Sequence, residues 1–308
     1  MYKRQLHYGL VPRTNRGIFA INELPDLAER IQVGLLNVLE ERDVQVRGYK
    51  IRLPLDVLLV ASANPEDYTN RGRIITPLKD RFGSQIRTHY PLEVETEVAI
   101  MRQEARRASV GDVHVTMPDY MEEVIAEFSH LARQSSHVNQ RSGVSVRLSV
   151  SNSEVLAANA VRRALRSGER EVVPRICDLE ALAASTAGKI EIESLEEGRE
   201  GQIIENMLKG AVLAVFKQRL SPDKLREVIT AFDEGVVAHT GEDLTSVSEA
   251  ELVGKVPALR EPVATLTRGV ESPAAVASAI EFVLEGLHLS KRLNKDTSGT
   301  SATYRSRS

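Results

Sequence analysis

Two short apolar runs that stop abruptly in polar residues, with an amphipathic helix between them, constrain this chain more than any other feature. The first, Gly17-Ile18-Phe19-Ala20-Ile21, ends in Asn22-Glu23; the second, Val57-Leu58-Leu59-Val60-Ala61-Ser62-Ala63, ends in Asn64-Pro65. Runs this short read as buried strands whose carboxyl ends are exposed. After Pro25, the residues Leu27, Ile31, Leu35 or Leu36, and Leu39 recur at helical spacing, and Glu40-Glu41-Arg42 closes the pattern, which predicts an amphipathic helix. Two buried strands joined through a helix imply a parallel α/β sheet. Between helix and second strand, Val44-Gln45-Val46-Arg47 and Tyr49-Lys50-Ile51-Arg52 alternate around Gly48. That pattern predicts a β-hairpin held outside the core.

Near Pro91 the texture changes. Glu93 to Arg107, Pro118 to Ser136, Arg147 to Arg166 and Asp178 to Ala187 each read as amphipathic helices separated by Gly, Pro or Ser. A strong helix follows from Glu197 to Leu220, and Glu261 to Leu266 and Pro273 to Leu289 continue the pattern. The tail from Asn294 to Ser308 is rich in Ser, Thr and basic residues and reads as disordered. The expected organisation is an α/β core over 1–90, a helical lid over 91–190, a mostly helical extension over 191–293 and a disordered tail over 294–308. At 308 residues the chain has room for two or three such units.

Ligands of open parallel sheets bind at the carboxyl ends of the strands, so Asn22, Glu23 and Asn64 are the first candidates for chemistry. A carboxylate there can orient and polarise a water for attack on a phosphoryl group, and a carboxamide on the neighbouring strand can help hold that water or the γ-phosphate. Taken singly, Asn22-Glu23 and Asn64-Pro65 read better as turns; their order and company argue for more. Downstream, Pro77-Leu78-Lys79-Asp80-Arg81-Phe82-Gly83 sets an Arg after a short helix. An Arg from a neighbouring subunit can stabilise the charge of a phosphoryl-transfer transition state, although a local Asp80 to Arg81 pair is the default. Gly143-Val144-Ser145-Val146-Arg147 opens a helix with an Arg at its positive end. That placement opposes the helix dipole and suggests a partner, whether ligand, carboxylate or solvent.

In this order the motifs resemble the AAA+ ATPases of the clade that carries a β-hairpin before sensor one, and within it the MoxR proteins and the ATPase subunit I of magnesium chelatase. Asn15-Arg16-Gly17-Ile18-Phe19-Ala20-Ile21-Asn22-Glu23 is similar to the family's Walker B region. Gly34-Leu35-Leu36-Asn37-Val38-Leu39-Glu40-Glu41-Arg42 with its hairpin is the most specific match. The resemblance covers about residues 9 to 190 and implies that Glu23 positions the attacking water, Asn64 is sensor one, Arg81 the arginine finger and Arg147 sensor two. It implies ATP and Mg²⁺ as ligands of the complete protein, a homo-oligomeric ring, expected to be a hexamer, and a partner such as a von Willebrand factor A domain protein or a metal-insertion complex.

Two departures qualify the resemblance. No G-x-x-x-x-G-K-S/T loop occurs, and Gly188-Lys189 is followed by Ile190. The phosphate cradle is therefore missing, so the chain reads as N-terminally truncated and is expected to bind ATP poorly or not at all by itself. Asn22 stands where the family has Asp, so it would hold Mg²⁺ weakly, through water. Two alternatives stand beside a hydrolysing ring: a non-hydrolysing scaffold subunit that contributes only Arg81 in trans, and the ATPase of a transcription activator acting on an alternative sigma factor. Against the latter, the chain has no Gly-Ala-Phe-Thr-Gly-Ala loop and no evident helix-turn-helix.

Composition narrows the rest. Forty Lys and Arg against 43 Asp and Glu give a net charge of -3, which argues against nucleic acid as the main partner. No stretch is long and apolar enough to span a bilayer. The single Cys177, with no secretory signal, points to a reducing cytoplasm. Cys177 reads as a small buried residue rather than a nucleophile, and the seven scattered His residues show no metal-ligand spacing. Arg162-Arg163, Arg166 and Arg170 read as a solvated basic face.

Overall fold

A computed structural model describes residues 7–45, 52–64, 72–106, 111, 113–139, 142–193, 198–221 and 225–307. The chain divides into two compact units, Met1–His89 and Tyr90–Ser308.

In the first unit a short helix, α1 (Leu10–Arg13), precedes strand β1 (Gly17–Ile21), which pairs in parallel with β4 (Val57–Ala61) from Gly17 against Val57 to Ile21 against Ala61. The register is pinned at the entry, where the Asp56 amide donates to Asn15 Oδ1 at 2.7 Å and the Arg16 amide donates to the Asp56 carbonyl at 2.6 Å. Helix α2 (Glu29–Glu40) and the short α3 (Thr76–Lys79) cover one face of this pair. Leu24, Leu35, Ile74 and Leu78 are buried there, with Ile21, Leu59, Ala61 and Phe82 packed against them. Alternation turns Ile18, Ala20, Leu58 and Val60 to the opposite face, where Ile18 is 66% and Leu58 61% exposed. The expectation of buried strands therefore holds for one face and is corrected for the other: among the described residues no helix layer lies over that side. Strand β2 (Asp43–Gln45) pairs antiparallel with β3 (Arg52–Pro54). The expected hairpin therefore has its base here, while its turn around Gly48 lies outside the described residues.

The second unit is built on helices α4 (Val94–Glu104), α5 (Asp119–Gln134), α6 (Arg147–Ser167), α7 (Leu182–Ala187) and α8 (Glu200–Arg219). They are followed by α9 (Arg226–Asp233), α10 (Ser246–Ala250), α11 (Leu252–Lys255), α12 (Arg260–Thr267) and α13 (Pro273–Leu289). Two-residue strands β5 (His114–Val115) and β6 (Glu171–Val172) pair in parallel. One apolar core runs through Val124, Phe128, Leu148, Val212, Phe216, Phe282 and Leu284. Residues on both sides of position 190 share it, so packing does not separate a lid from an extension there. Phe282 of α13 sits between Tyr120, with ring centroids 4.7 Å apart, and Phe216, at 6.1 Å. The stretch expected as a helix from Asp178 begins instead as a 3-10 turn over Ile176–Ala181, at whose start the Asp178 carboxylate accepts the Arg175 amide at 2.8 Å.

The expected disordered tail over 294–308 is also corrected. Strands β8 (Leu293–Ser298) and β9 (Ser301–Ser306) form a hairpin, and β9 pairs antiparallel with β7 (Ala238–Gly241). Low hydrophobicity reads as disorder, but the strand ladders and one buried side chain hold the tail in place. Tyr304 is buried, and its hydroxyl donates to Glu285 at 2.6 Å beside the Lys295 to Glu285 ion pair at 2.8 Å.

Candidate functional site

At the carboxyl ends of β1 and β4 the chains stay stitched beyond the last paired residues. The Ser62 amide donates to the Ile21 carbonyl at 2.9 Å, and the Leu24 amide donates to the Ser62 carbonyl at 2.9 Å. The Ser62 hydroxyl accepts from the Glu23 amide and donates to Asn22 Oδ1, both at 3.3 Å. Asn22 and Glu23 are thereby held side by side at the strand edge. Glu23 adopts φ 53° and ψ 51°, the left-handed region, which costs a non-glycine residue about 1–2 kcal/mol. The cause is local: Leu24 and Pro25 start a 3-10 turn and are buried, so the chain reverses at Glu23 and leaves its carboxylate in solvent. Asn64 lies three residues past β4 on the same edge and is exposed.

Arg81 is fixed to its own unit. Its Nε and Nη2 donate to Glu40 Oε2 at 2.8 and 2.5 Å, and its Nη1 donates to the Pro77 carbonyl at 2.7 Å. The default partner read from sequence, Asp80, is thus replaced by Glu40, the last residue of α2. The segment leading to Arg81 is tied down by buried Gln32, which donates to the Leu27 and Arg73 carbonyls at 2.9 and 3.0 Å and accepts from the Ile75 amide at 3.0 Å.

In the second unit Arg147 opens α6 from an exposed position, and no ion-pair partner for it is found among the described residues. Its amide donates to Ser145 Oγ at 3.2 Å. At the other end of α6 the expected basic face of Arg162, Arg163, Arg166 and Arg170 is partly corrected: Arg163 is buried and pairs with Asp178 at 3.0 Å, while Arg162 and Arg166 reach Glu242 at 3.5 and 3.7 Å. The Cys177 thiol is pushed well above its ordinary value by burial and by the Glu281 and Asp178 carboxylates, which disfavours a nucleophilic thiolate.

Sequence reasoning missed Ser62 and Glu40. Ser62 could have been found as the first polar residue ending the second run. Glu40 carries no such signal, because its partner lies 41 positions away. It also missed the buried carboxylates Glu249 and Glu281 beside Arg175, where Arg175 Nη1 lies 3.2 Å from Glu249.

The first 81 residues decide the relationship. Residues 3–81 match the family described as the Sigma-54 interaction domain. The magnesium-chelatase 38 kDa subunit of Cereibacter sphaeroides is 38% identical over 95 residues, 30% of this chain and 27% of that protein. The same subunit of Rhodobacter capsulatus is 38% identical over 97 residues, 31% and 27% of the two chains. Over this segment the chain is similar to the Sigma-54 interaction family and to these magnesium-chelatase subunits. The alignment spans about a quarter of the length of these curated relatives. A solved structure from Cytophaga hutchinsonii overlaps 62% of this chain and 64% of its own at 19% identity, with a TM-score of 0.26, too low to carry an argument. Among the described residues no helix is long and apolar enough to cross a membrane, and no cluster of His, Cys, Asp or Glu is arranged to hold a metal ion.

Proposed function

We propose that this chain supplies the water-activating half of a ring-forming, MoxR- or magnesium-chelatase-like ATPase whose parent hydrolyses ATP to remodel a partner protein or to drive metal insertion. The observation that carries the reading is Glu23: an exposed carboxylate on a left-handed backbone at the carboxyl end of a parallel strand pair. Strain of this kind persists only where surrounding structure enforces it, and here the Ser62 bridge and the buried Leu24-Pro25 turn do so.

In this reading Glu23 orients the attacking water, and Asn64 on the neighbouring strand contacts that water or the γ-phosphate. Asn22 offers one neutral oxygen, already accepting from Ser62, which suits a water-mediated hold on Mg²⁺ rather than direct ligation. Bound with ATP, the cation would neutralise phosphate charge. Arg81 leaves Glu40 to reach the site of the next subunit, and Arg147 contacts the nucleotide from the lid. The nucleotide's phosphates find no cradle among the described residues. The exposed apolar face of β1 and β4 would suit a covering layer of the complete ATPase, since parallel sheets are covered on both faces.

The test joins this chain to an upstream strand, P-loop and helix of the kind the resemblance implies, and measures ATP binding and turnover. Glu23→Gln should abolish turnover, by about 10²-fold or more for loss of a general base, while ATP binding persists. Binding without turnover in the unsubstituted protein would favour the scaffold alternative. The match to the Sigma-54 interaction family favours one second reading, an ATPase acting on an alternative sigma factor. Stimulation of turnover by a sigma factor, rather than by a von Willebrand factor A domain protein, would select it.

A further inference from the structure

The first turn of α6 rests on a buried charge cluster that nothing in the apolar core requires. Glu97 of α4 is fully buried and accepts two hydrogen bonds from Arg133 of α5, from Nη1 at 2.6 Å and Nη2 at 2.8 Å. His130 Nε2 lies 3.0 Å from the same carboxylate. Ser149, in the first turn of α6, donates to Glu97 from the other side and also meets Ser129 Oγ at 2.7 Å. Desolvating such charges costs several kcal/mol per ion, and their pairing is weak evidence for net stability. What the cluster does supply is a fixed geometry.

That geometry is aimed at the turn before Arg147. The remaining Arg133 donor, Nε, reaches the Val144 carbonyl at 3.1 Å. The Arg133 guanidinium carbon lies 4.9 Å from the centre of the Tyr90 ring, a cation–π distance. Gly143 adopts φ 69°, and a Cβ there would overlap the Tyr90 hydroxyl. Val144 is buried, and four residues after Gly143 stands the exposed Arg147. Tyr90 is also the first residue of the second unit, where the chain enters from the first.

We propose that Tyr90, Arg133 and Glu97 are positioning residues for Arg147: they seat the 143–146 turn, and through it set the direction in which the Arg147 guanidinium meets the nucleotide's phosphates. The proposal rests on the reading of Arg147 as a nucleotide contact.

The experiment uses the joined ATPase with this full chain intact and reads KM for ATP and kcat separately. Lys in place of Arg133 keeps the charge but loses the planar fork and the Nε donor; Tyr90→Leu leaves the Glu97 pair in place and serves if Arg133→Lys fails to fold. Each should raise KM roughly tenfold, the equivalent of about 1.4 kcal/mol, with an unchanged melting temperature for Tyr90→Leu. In an Arg147→Ala background neither should raise KM further, because their route to the nucleotide is gone. If Arg147→Ala itself leaves KM unchanged, the underlying reading of Arg147 falls. If Arg147→Ala raises KM and the other substitutions add to it independently, or leave KM unchanged alone, the positioning proposal is overturned while the reading of Arg147 stands.

Discussion

Single residues in this chain are placed by partners far away in sequence, and Glu249 shows the energetic consequence. Burial pushes its carboxyl up to about 9, the nearby Glu281 carboxylate adds to the rise, and Arg175 with the Gly241 amide oppose it. The unfolded chain releases this proton near the ordinary carboxylate value of about 4.3. A raised folded-state value means stability that is fully present below about 4.3 and is lost as pH rises through the folded value, at up to about 1.4 kcal/mol per pH unit. The melting temperature should therefore fall between pH 6 and pH 9, and Glu249→Gln should flatten that fall; parallel melts of the two proteins decide it. Glu23 differs: its position is set by backbone direction and not by burial. That direction was half legible: Pro25 announces a turn, but the left-handed conformation follows from Leu24 being drawn into the core.

Elements are set by how close their backbones come. Helix α13 passes α8 at Gly286, where a Cβ would overlap the Phe216 ring. Gly286→Ala gains about 1 kcal/mol in helix propensity, yet overpacking a core costs typically about 1–3 kcal/mol, and an aromatic ring held by Phe282 cannot yield freely. The expected outcome is a net loss of stability, read as a lower urea midpoint with unchanged slope. The spacing of α13 is plain in the sequence, as are those of α4, α5, α6 and α8, because each has an apolar face at helical period. The hairpin of β8 and β9 is not, since its polar residues carry little apolar content and it is held by contacts to distant elements, pairing with β7 and the Tyr304 to Glu285 hydrogen bond among them.

For the whole molecule the informative surface is the uncovered side of β1 and β4. Ile18, Leu58 and Val60 are 66%, 61% and 49% exposed, and contiguous apolar surface of this kind marks an interaction site. The chain by itself should bind a hydrophobic dye at this face. Leu58→Lys should reduce that binding and abolish ATP binding in the ATPase joined to a P-loop segment, while leaving the helical signal of the second unit unchanged. Dye fluorescence, nucleotide binding and circular dichroism on the same preparations separate these outcomes.

Local features were set by the sequence alone: two strands ending in polar residues, the helix between them, the hairpin base, the run of amphipathic helices and the candidate residues Asn22, Glu23, Asn64, Arg81 and Arg147. Periodicity and strand-end chemistry act over a few residues, so they can be read without coordinates. Tertiary structure alone decided which partners those residues meet. Arg81 pairs with Glu40 rather than Asp80, Arg163 is buried against Asp178, the tail pairs with β7 and buries Tyr304, and one sheet face is left open among the described residues. Each of these depends on contacts between distant positions, where burial turns a weak local preference into a fixed geometry.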